Sequence, residues 1–500
     1  MKKNILLFLI VGLTFSTVHS QEMKDAMRYA QSDLLGTARF TAMSGAFGAL
    51  GADLSAININ PAGSAVFNNN QFGSTMGFYD TKNNSNYFGG STSASENTFD
   101  LNQAGGVFVF KTRDPNNALR KFSMAINYEK TNNYDNSLFS AGISPIHSVD
   151  EYFISYANGV PLSLLDNSIY ADLDHGSQQA YLGYWGFVIN PVSETDNNTL
   201  YTSNVRAGGN YYQENSVYSD GYNGKLIFNS AFQFDRFYFG LNLNSHFTDY
   251  LQNSTFYEFN NNTPDLNYEV QSINFSNSLH TYGSGFSFQI GTIAKLTDQI
   301  RVGFTYESPT WYNLRDEFSQ RLTSISSNSE NSLSPDIVDP LVINYYAPYD
   351  LQTPGSLTAS FAYVFGKTGL LSVDYKYKDY SQTEYGPEND PYFRDLNRAM
   401  HNTFGDSNEV RVGVEYRIQN LKLRGGYRFE GSPYKDSKTI GDLNSFSGGL
   451  GYNFGFVKLD FSYVHVDSSS QQPFFSQGFT QAAKINTSKN NFTTTFTFEM

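Results

Sequence analysis

Long stretches of this chain alternate. In "KFSMAINYEK", Phe122, Met124, Ile126 and Tyr128 fall on one side and Ser123, Ala125, Asn127 and Glu129 on the other, the period of a β-strand with two unlike faces. "FYFGLNLNSHF" puts Phe237, Phe239, Leu241, Leu243 and Phe247 on one face, and "EVRVGVEYRI" sets Val410, Val412, Val414, Tyr416 and Ile418 against Arg411, Gly413, Glu415 and Arg417. A soluble β-sandwich alternates too, so turn lengths and composition must separate the two architectures.

The strands pair across very short connections: Asp235 and Arg236, Thr297 to Gln299, Gly366 to Gly369, Gln419 and Asn420, and Gly455. Between the pairs lie long polar segments. Short turns at one end and long loops at the other are the asymmetry of an outer-membrane barrel. Composition agrees: 43 Phe, 36 Tyr and 2 Trp make 16% of the chain, and charged residues only 16%, against about 25% in soluble domains. No window approaches the run of about eighteen apolar residues a membrane helix needs. Counting alternating segments predicts an all-β fold, a 14-stranded antiparallel transmembrane β-barrel. Its strands lie near 71–80, 103–111, 121–130, 222–234, 237–249, 279–295, 300–318, 353–365, 370–382, 408–418, 421–431, 440–454, 456–467 and 490–500. The last, "NFTTTFTFEM", places Phe492, Phe496, Phe498 and Met500 on one face, which suits recognition by the barrel-assembly machinery and closure against strand one. In such a wall Ile126 faces lipid and Asn127 faces the lumen, so Arg is expected to be damaging at the first and tolerated at the second.

Residues 1–20 read as a signal peptide, with Lys2 and Lys3 before an apolar run from Ile5 to Phe15 and cleavage after Ser20. The expected address is the bacterial outer membrane. The chain has no Cys, so neither disulfides nor thiolate metal sites are available. A net charge of −14 argues against a nucleic-acid partner.

Between the signal and the first strand the chain is compact and small: "GALGADLSAININPAGSAVF", Gly48 to Phe67, is half Gly, Ala or Ser. About eight strands already bring a barrel interior to the limit its own side chains can fill, so a fourteen-stranded one needs a filler. Small side chains allow close backbone approach and tight turns. Residues 21–68 are therefore expected to form an N-terminal hatch inside the lumen, entered by a short helix through Met23, Ala26, Tyr29 and Ala30. The alternative is a periplasmic tail. Residues 69–500 would form the barrel, interrupted by a long extracellular loop over 131–222.

"GTARFTAMSGAFGALGADLSAININPAG", Gly36 to Gly63, resembles the N-terminal hatch of the FadL/TodX family of outer-membrane transporters for hydrophobic compounds. The family's small-residue run, acidic position and Asn-Pro-Ala fall here at Ser44 to Gly51, Asp53, and Asn60, Pro61 and Ala62. "QIRVGFTYESPTWYNL", "VDYKYKDYSQTEY" and "LKLRGGYRFEGSPY" are similar to its later strands. The resemblance implies that loops collect an apolar molecule, a pocket holds it, and a shift of the hatch releases it sideways through the wall into the bilayer. It also places the mature N-terminus, Gln21, near the pocket.

The loop over 131–222 carries "SVDEYFISYANG", with Ser148 and Glu151 in a capping-box arrangement and Asn158-Gly159 as a stop. Its apolar side chains must be buried against the loop itself, a neighbour or a ligand, which makes Phe153, Tyr156, Trp185 and Phe187 candidate ligand contacts. No catalytic constellation emerges. The six His after residue 20 are scattered, no Gly-x-Ser-x-Gly occurs, and His246 beside Ser245 cannot share a strand face. No metal site, cofactor or enzymatic activity is expected. The favoured function is outer-membrane transport of hydrophobic small molecules, of the long-chain fatty acid or aromatic hydrocarbon class, by a monomer surrounded by outer-membrane lipids. The alternative is a non-transporting component on the same barrel, such as a protein-secretion partner.

Overall fold

A computed structural model describes residues 21–114, 117–263, 268–327 and 335–500. The predicted signal peptide, 1–20, lies outside the described residues. The alternating segments form β1 (Gln71–Tyr87), β2 (Gly90–Lys111), β3 (Leu119–Asn133, continued by Asn136–Ser144), β4 (Tyr211–Phe234), β5 (Phe237–Asn260), β6 (Glu269–Lys295) and β7 (Ile300–Glu307, continued by Thr310–Ser327). There follow β8 (Tyr349–Thr353, continued by Ser356–Phe365), β9 (Gly369–Asp379), β10 (Asp406–Ile418), β11 (Leu421–Glu430), β12 (Leu443–Asn453), β13 (Val457–Ser470) and β14 (Lys484–Glu499). Each strand pairs antiparallel with its neighbours in chain order, and β14 returns along β1 from Asn86↔Lys484 to Gln71↔Glu499. The result is a closed 14-stranded antiparallel barrel.

Alternation becomes two surfaces. On β3, Ile126 is 52% exposed on the outer wall while Asn127 is 0% exposed inside. The tight turns at Asp235, Gln419 and Gly455 use the left-handed backbone region, with φ of 50°, 53° and 97°. They gather at one end, which is the periplasmic one, and the long connections gather at the other.

Several strands run beyond their predicted ends. β4 and β5 are each 24 residues long, where about 9–11 suffice to cross the membrane. The long loop therefore shrinks from 131–222 to 145–210, because β3 continues to Ser144 and β4 starts at Tyr211. These extensions, such as "NSLFSAGIS", pair outside the hydrocarbon region and need no lipid-facing apolar row. The loop contains three helices, Asp150–Ala157, Leu162–Asn167 and His175–Trp185, whose apolar side chains form one core with Phe256, Phe275 and Leu322 from the barrel extensions. The capping box is not made. Ser148 Oγ donates instead to Glu258 Oε1 at 2.5 Å, and His147 Nδ1 lies 2.9 Å from Glu151 Oε1. The helix still stops at Asn158, ahead of Gly159 with φ 103°.

Candidate functional site

The N-terminal segment is held by lumen-facing side chains from around the barrel. Thr41 Oγ1 meets Ser462 Oγ of β13 at 2.7 Å, and the Phe47 and Gly48 N–H groups both donate to Asp374 Oδ2 of β9 at 2.9 Å. Asn242 of β5 and Gln289 of β6 donate to Ile57 O and Asn58 O, each at 2.9 Å, and Ser64 Oγ meets Ser123 Oγ of β3 at 2.9 Å. The segment can lie this close because both sides lack bulk. A Cβ on Gly240 of β5 would sit 2.3 Å from Pro61 C, and one on Gly303 of β7 would sit 2.3 Å from Gly48 O.

The Asn-Pro-Ala stretch is the tightest part. Asn60 is fully buried with extended backbone, φ −142° and ψ 111°, as the following Pro requires, and Pro61 opens a 3-10 turn over Pro61–Val66. Asn60 Nδ2 donates to Gly48 O at 2.7 Å and Thr292 O at 2.9 Å, while its Oδ1 accepts from Ala62 N at 3.1 Å. Ala62 packs against Ala231, Tyr238 and Ile293. Asp53 accepts from Thr37 Oγ1 at 2.7 Å and Ser55 N at 3.0 Å, closing the segment on itself. Burial pushes the Asp53 carboxyl above its usual range, against the Arg39 guanidinium and these donors, which favour the ionised form. Asn60→Asp puts a carboxylate against two buried carbonyls that lose their donors. It should loosen the segment by about 3 kcal/mol, read as faster protease cleavage between residues 36 and 60 in an otherwise intact barrel.

Two cavities flank α1 (Met23–Ala30). Its inner side, Ala26, Met27, Tyr29 and Ala30, is buried among Tyr312, Tyr349, Leu351, Tyr385 and Phe393. Towards the outside lies a cavity of about 400 Å³. Tyr152, Phe256, Phe275, Phe474 and Phe475 line its apolar side, and α1 supplies Lys24, Asp25 and Arg28 to the other. The Arg28 guanidinium stacks 3.9 Å from the Tyr250 ring centroid. On the far side of α1 a cavity of about 100 Å³ is lined by residues 31–35, Glu129–Asn132 and the charges Lys225, Glu307 and Lys376.

Beside this inner cavity the wall is incomplete. β2 pairs with β3 only from Gln103↔Glu129 to Lys111↔Lys121, while β1 follows β2 as far as Tyr87↔Gly90. Beyond Gln103 the β2–β3 ladder stops, and the two strands are bridged there by a side-chain ion pair, Lys130 Nζ of β3 to Asp100 Oδ2 of β2 at 2.5 Å. The upper part of β3 lies against the lumen-facing side of β1 and β2 without joining their ladder: Ser85 Oγ meets Ser140 Oγ at 2.6 Å, and Thr92 Oγ1 donates to Phe139 O at 2.5 Å. The chain just after α1 backs this gap. Asp33 N donates to Thr131 O at 2.9 Å, Asn132 Nδ2 donates to Gln31 O at 3.2 Å, and Asn133 N donates to Asp33 Oδ2 at 3.2 Å. Lys489 of β14 pairs with Asp33 Oδ1 at 3.0 Å.

Gln21, 2% exposed, sits at the head of α1 with its Nε2 donating to Asp316 Oδ2 at 2.7 Å, and Asp316 lines the outer cavity. The other predicted contacts do not reach that cavity. Phe153 is fully buried in the loop core 5.3 Å from the Phe275 ring, Tyr156 packs on Tyr152 at 5.1 Å, and Phe187 turns into the same core with φ 57°. Trp185 is 48% exposed on the outer surface, its Nε1 donating to Leu165 O at 3.0 Å. Burial of the loop against itself and the strand extensions therefore accounts for Phe153, Tyr156 and Phe187. Tyr152 and the pair Phe474–Phe475 reach the cavity instead. The pair lies in "QQPFFSQGF", without periodicity; two adjacent aromatic residues in a polar segment were the available signal. Inside the lumen, His246 Nε2 meets Ser287 Oγ of the neighbouring strand at 2.8 Å, with the Tyr312 hydroxyl 3.4 Å from its Nδ1. This pairing depends on the register between neighbouring strands and cannot be read along one strand.

The family model described as outer membrane protein transport protein (OMPP1/FadL/TodX) matches residues 202–498, a span that begins after the small-residue stretch. A Pseudomonas aeruginosa FadL homologue shares the fold with a TM-score of 0.55 at 12% identity, covering 94% of this chain and 99% of that one. The P. putida toluene transporter TodX aligns with a TM-score of 0.52 at 13% identity over the same shares, 94% and 99%. No curated protein matches the chain.

Proposed function

Because this chain belongs to the outer membrane protein transport family OMPP1/FadL/TodX, we propose that it carries hydrophobic small molecules of the long-chain fatty acid or aromatic hydrocarbon class, with residues 21–68 as its hatch. The observation that carries this reading is the unpaired stretch between β2 and β3, closed from inside by residues 31–33. A ligand enters the outer cavity, whose volume of about 400 Å³ suits a small molecule. Displacement of α1 and residues 31–35 then joins the outer cavity to the inner one and frees the gap. Leaving sideways keeps the ligand's apolar surface out of water, worth roughly 25 cal/mol per Å², and this gradient drives release into the bilayer.

The test is uptake of labelled oleate and labelled toluene by cells with and without the protein. Chain-dependent uptake of at least one supports the proposal, and uptake of neither overturns it. Asp33→Ala should weaken the closure, since it removes the ion pair to Lys489 and the acceptor for Asn133 N–H. Charge-assisted hydrogen bonds of this kind contribute about 1.5–3 kcal/mol. Amide exchange over residues 31–35 should accelerate more than tenfold, with exchange in β1–β14 unchanged; equal rates would show that Asp33 holds nothing closed.

A further inference from the structure

We propose that the periplasmic mouth of the barrel docks an acidic polypeptide segment of a periplasmic partner. Although the chain carries a net charge of −14, at three of the short turns the nearest lumen-facing residues are opposed cations. Lys111 stands directly opposite Lys121 on β2 and β3, Lys295 opposite Arg301 on β6 and β7, and Arg417 opposite Lys422 on β10 and β11. Like charges at opposed positions destabilise a ladder, and here this happens at three separate places around one rim.

Neighbouring acids do not cancel this field. Glu415 serves Arg39 and Arg424 as well as Arg417, Glu499 is taken by Lys458, and Asp460 by Arg424. Asp298 in the adjacent turn acts on Lys295. Among the described residues, Lys111, Lys121, Lys295, Arg301 and Lys422 form no ion pair. The hatch meets two of them only with neutral acceptors: Lys121 Nζ donates to Phe67 O at 2.9 Å and Asn68 Oδ1 at 3.3 Å, and Arg301 Nη1 to Leu50 O at 3.2 Å. Arg301 Nε is buried without a partner.

These side chains point towards the barrel axis, out of line with lipid headgroups around the outer wall. A small anion would engage one pair. Acidic side chains at alternate positions of an extended peptide recur about every 6.8 Å on one face and can engage several.

The experiment uses the full-length protein in phosphatidylcholine nanodiscs, with a fluorescent octaglutamate peptide and inorganic pyrophosphate as probes. Lys111→Gln with Lys295→Gln leaves Lys121 and Arg301 in place. This double variant should bind the peptide at least tenfold more weakly, while Lys438→Gln at the extracellular end binds it as the parent does. The melting temperature of the double variant should be unchanged or higher, since repulsion is relieved. Undiminished binding by the double variant overturns the proposal. So does pyrophosphate binding as tightly as the peptide, which marks a small-anion site, or loss of peptide binding in phosphatidylglycerol nanodiscs, which marks a lipid site. A lower melting temperature would mean that the cations serve the fold, and would also overturn it.

Discussion

Deletion of Gln21–Leu35 is expected to leave a folded, heat-modifiable barrel that has lost uptake of its hydrophobic ligand by tenfold or more. The barrel closes through β14 on β1 without help from these residues, so assembly survives. The ligand site does not, because α1 provides one side of the outer cavity and the partition from the inner one. Conductance to small ions should stay low in this deletion, since residues 36–67 still fill the periplasmic half through Asn60, Asp53 and their partners. Uptake of labelled oleate and toluene, single-channel conductance and secreted protein, measured in one strain, separate the readings. A porin would conduct strongly with no ligand-specific loss. A protein-secretion partner would lose export of its client with hydrophobic uptake unchanged. Normal uptake across the panel would count against transport through this route.

Ile126→Arg is expected to block assembly into the membrane. Ile126 is 52% exposed on the outer wall, and Arg on the lipid face near the midplane costs about 2–4 kcal/mol. Folding into lipid vesicles, followed by the heat-modifiable gel shift, measures it. The companion change does not behave as the sequence alone suggests. Asn127 faces inwards but is fully buried, donating to Leu54 O at 3.3 Å and Glu129 Oε1 at 2.9 Å and accepting from Gln103 at 2.6 Å. Asn127→Arg should therefore overpack the lumen by about 1–3 kcal/mol. The expected signature differs: a barrel that assembles, with an N-terminal segment newly open to protease. Identical assembly defects at both positions would show that the two faces are not distinguished as the structure has them.

The tolerance expected at Asn127 shows where reading along the chain stops. Alternation distinguishes inside from outside but does not say whether the inside is water or protein. The same limit explains the ligand contacts. Phe153 and Phe187 are aromatic for the loop's own core, whereas Phe474 and Phe475, which line the outer cavity, sit in a loop with no period to mark them.

What the sequence determined by itself is the barrel. Fourteen apolar rows with period two, tight turns at one end and low charge leave few other ways to satisfy every backbone group in a membrane, and each predicted strand has its counterpart among β1–β14. The small-residue run likewise announced a segment built for close approach. Only the tertiary structure decided where the wall is unpaired, which side chains face the outer cavity, and that Lys111 stands opposite Lys121 and Lys295 opposite Arg301. These are facts of register, even between consecutive strands such as β2 and β3 or β6 and β7. Side-chain alternation repeats every two residues, so it specifies a strand's face but not which residue of its neighbour it meets.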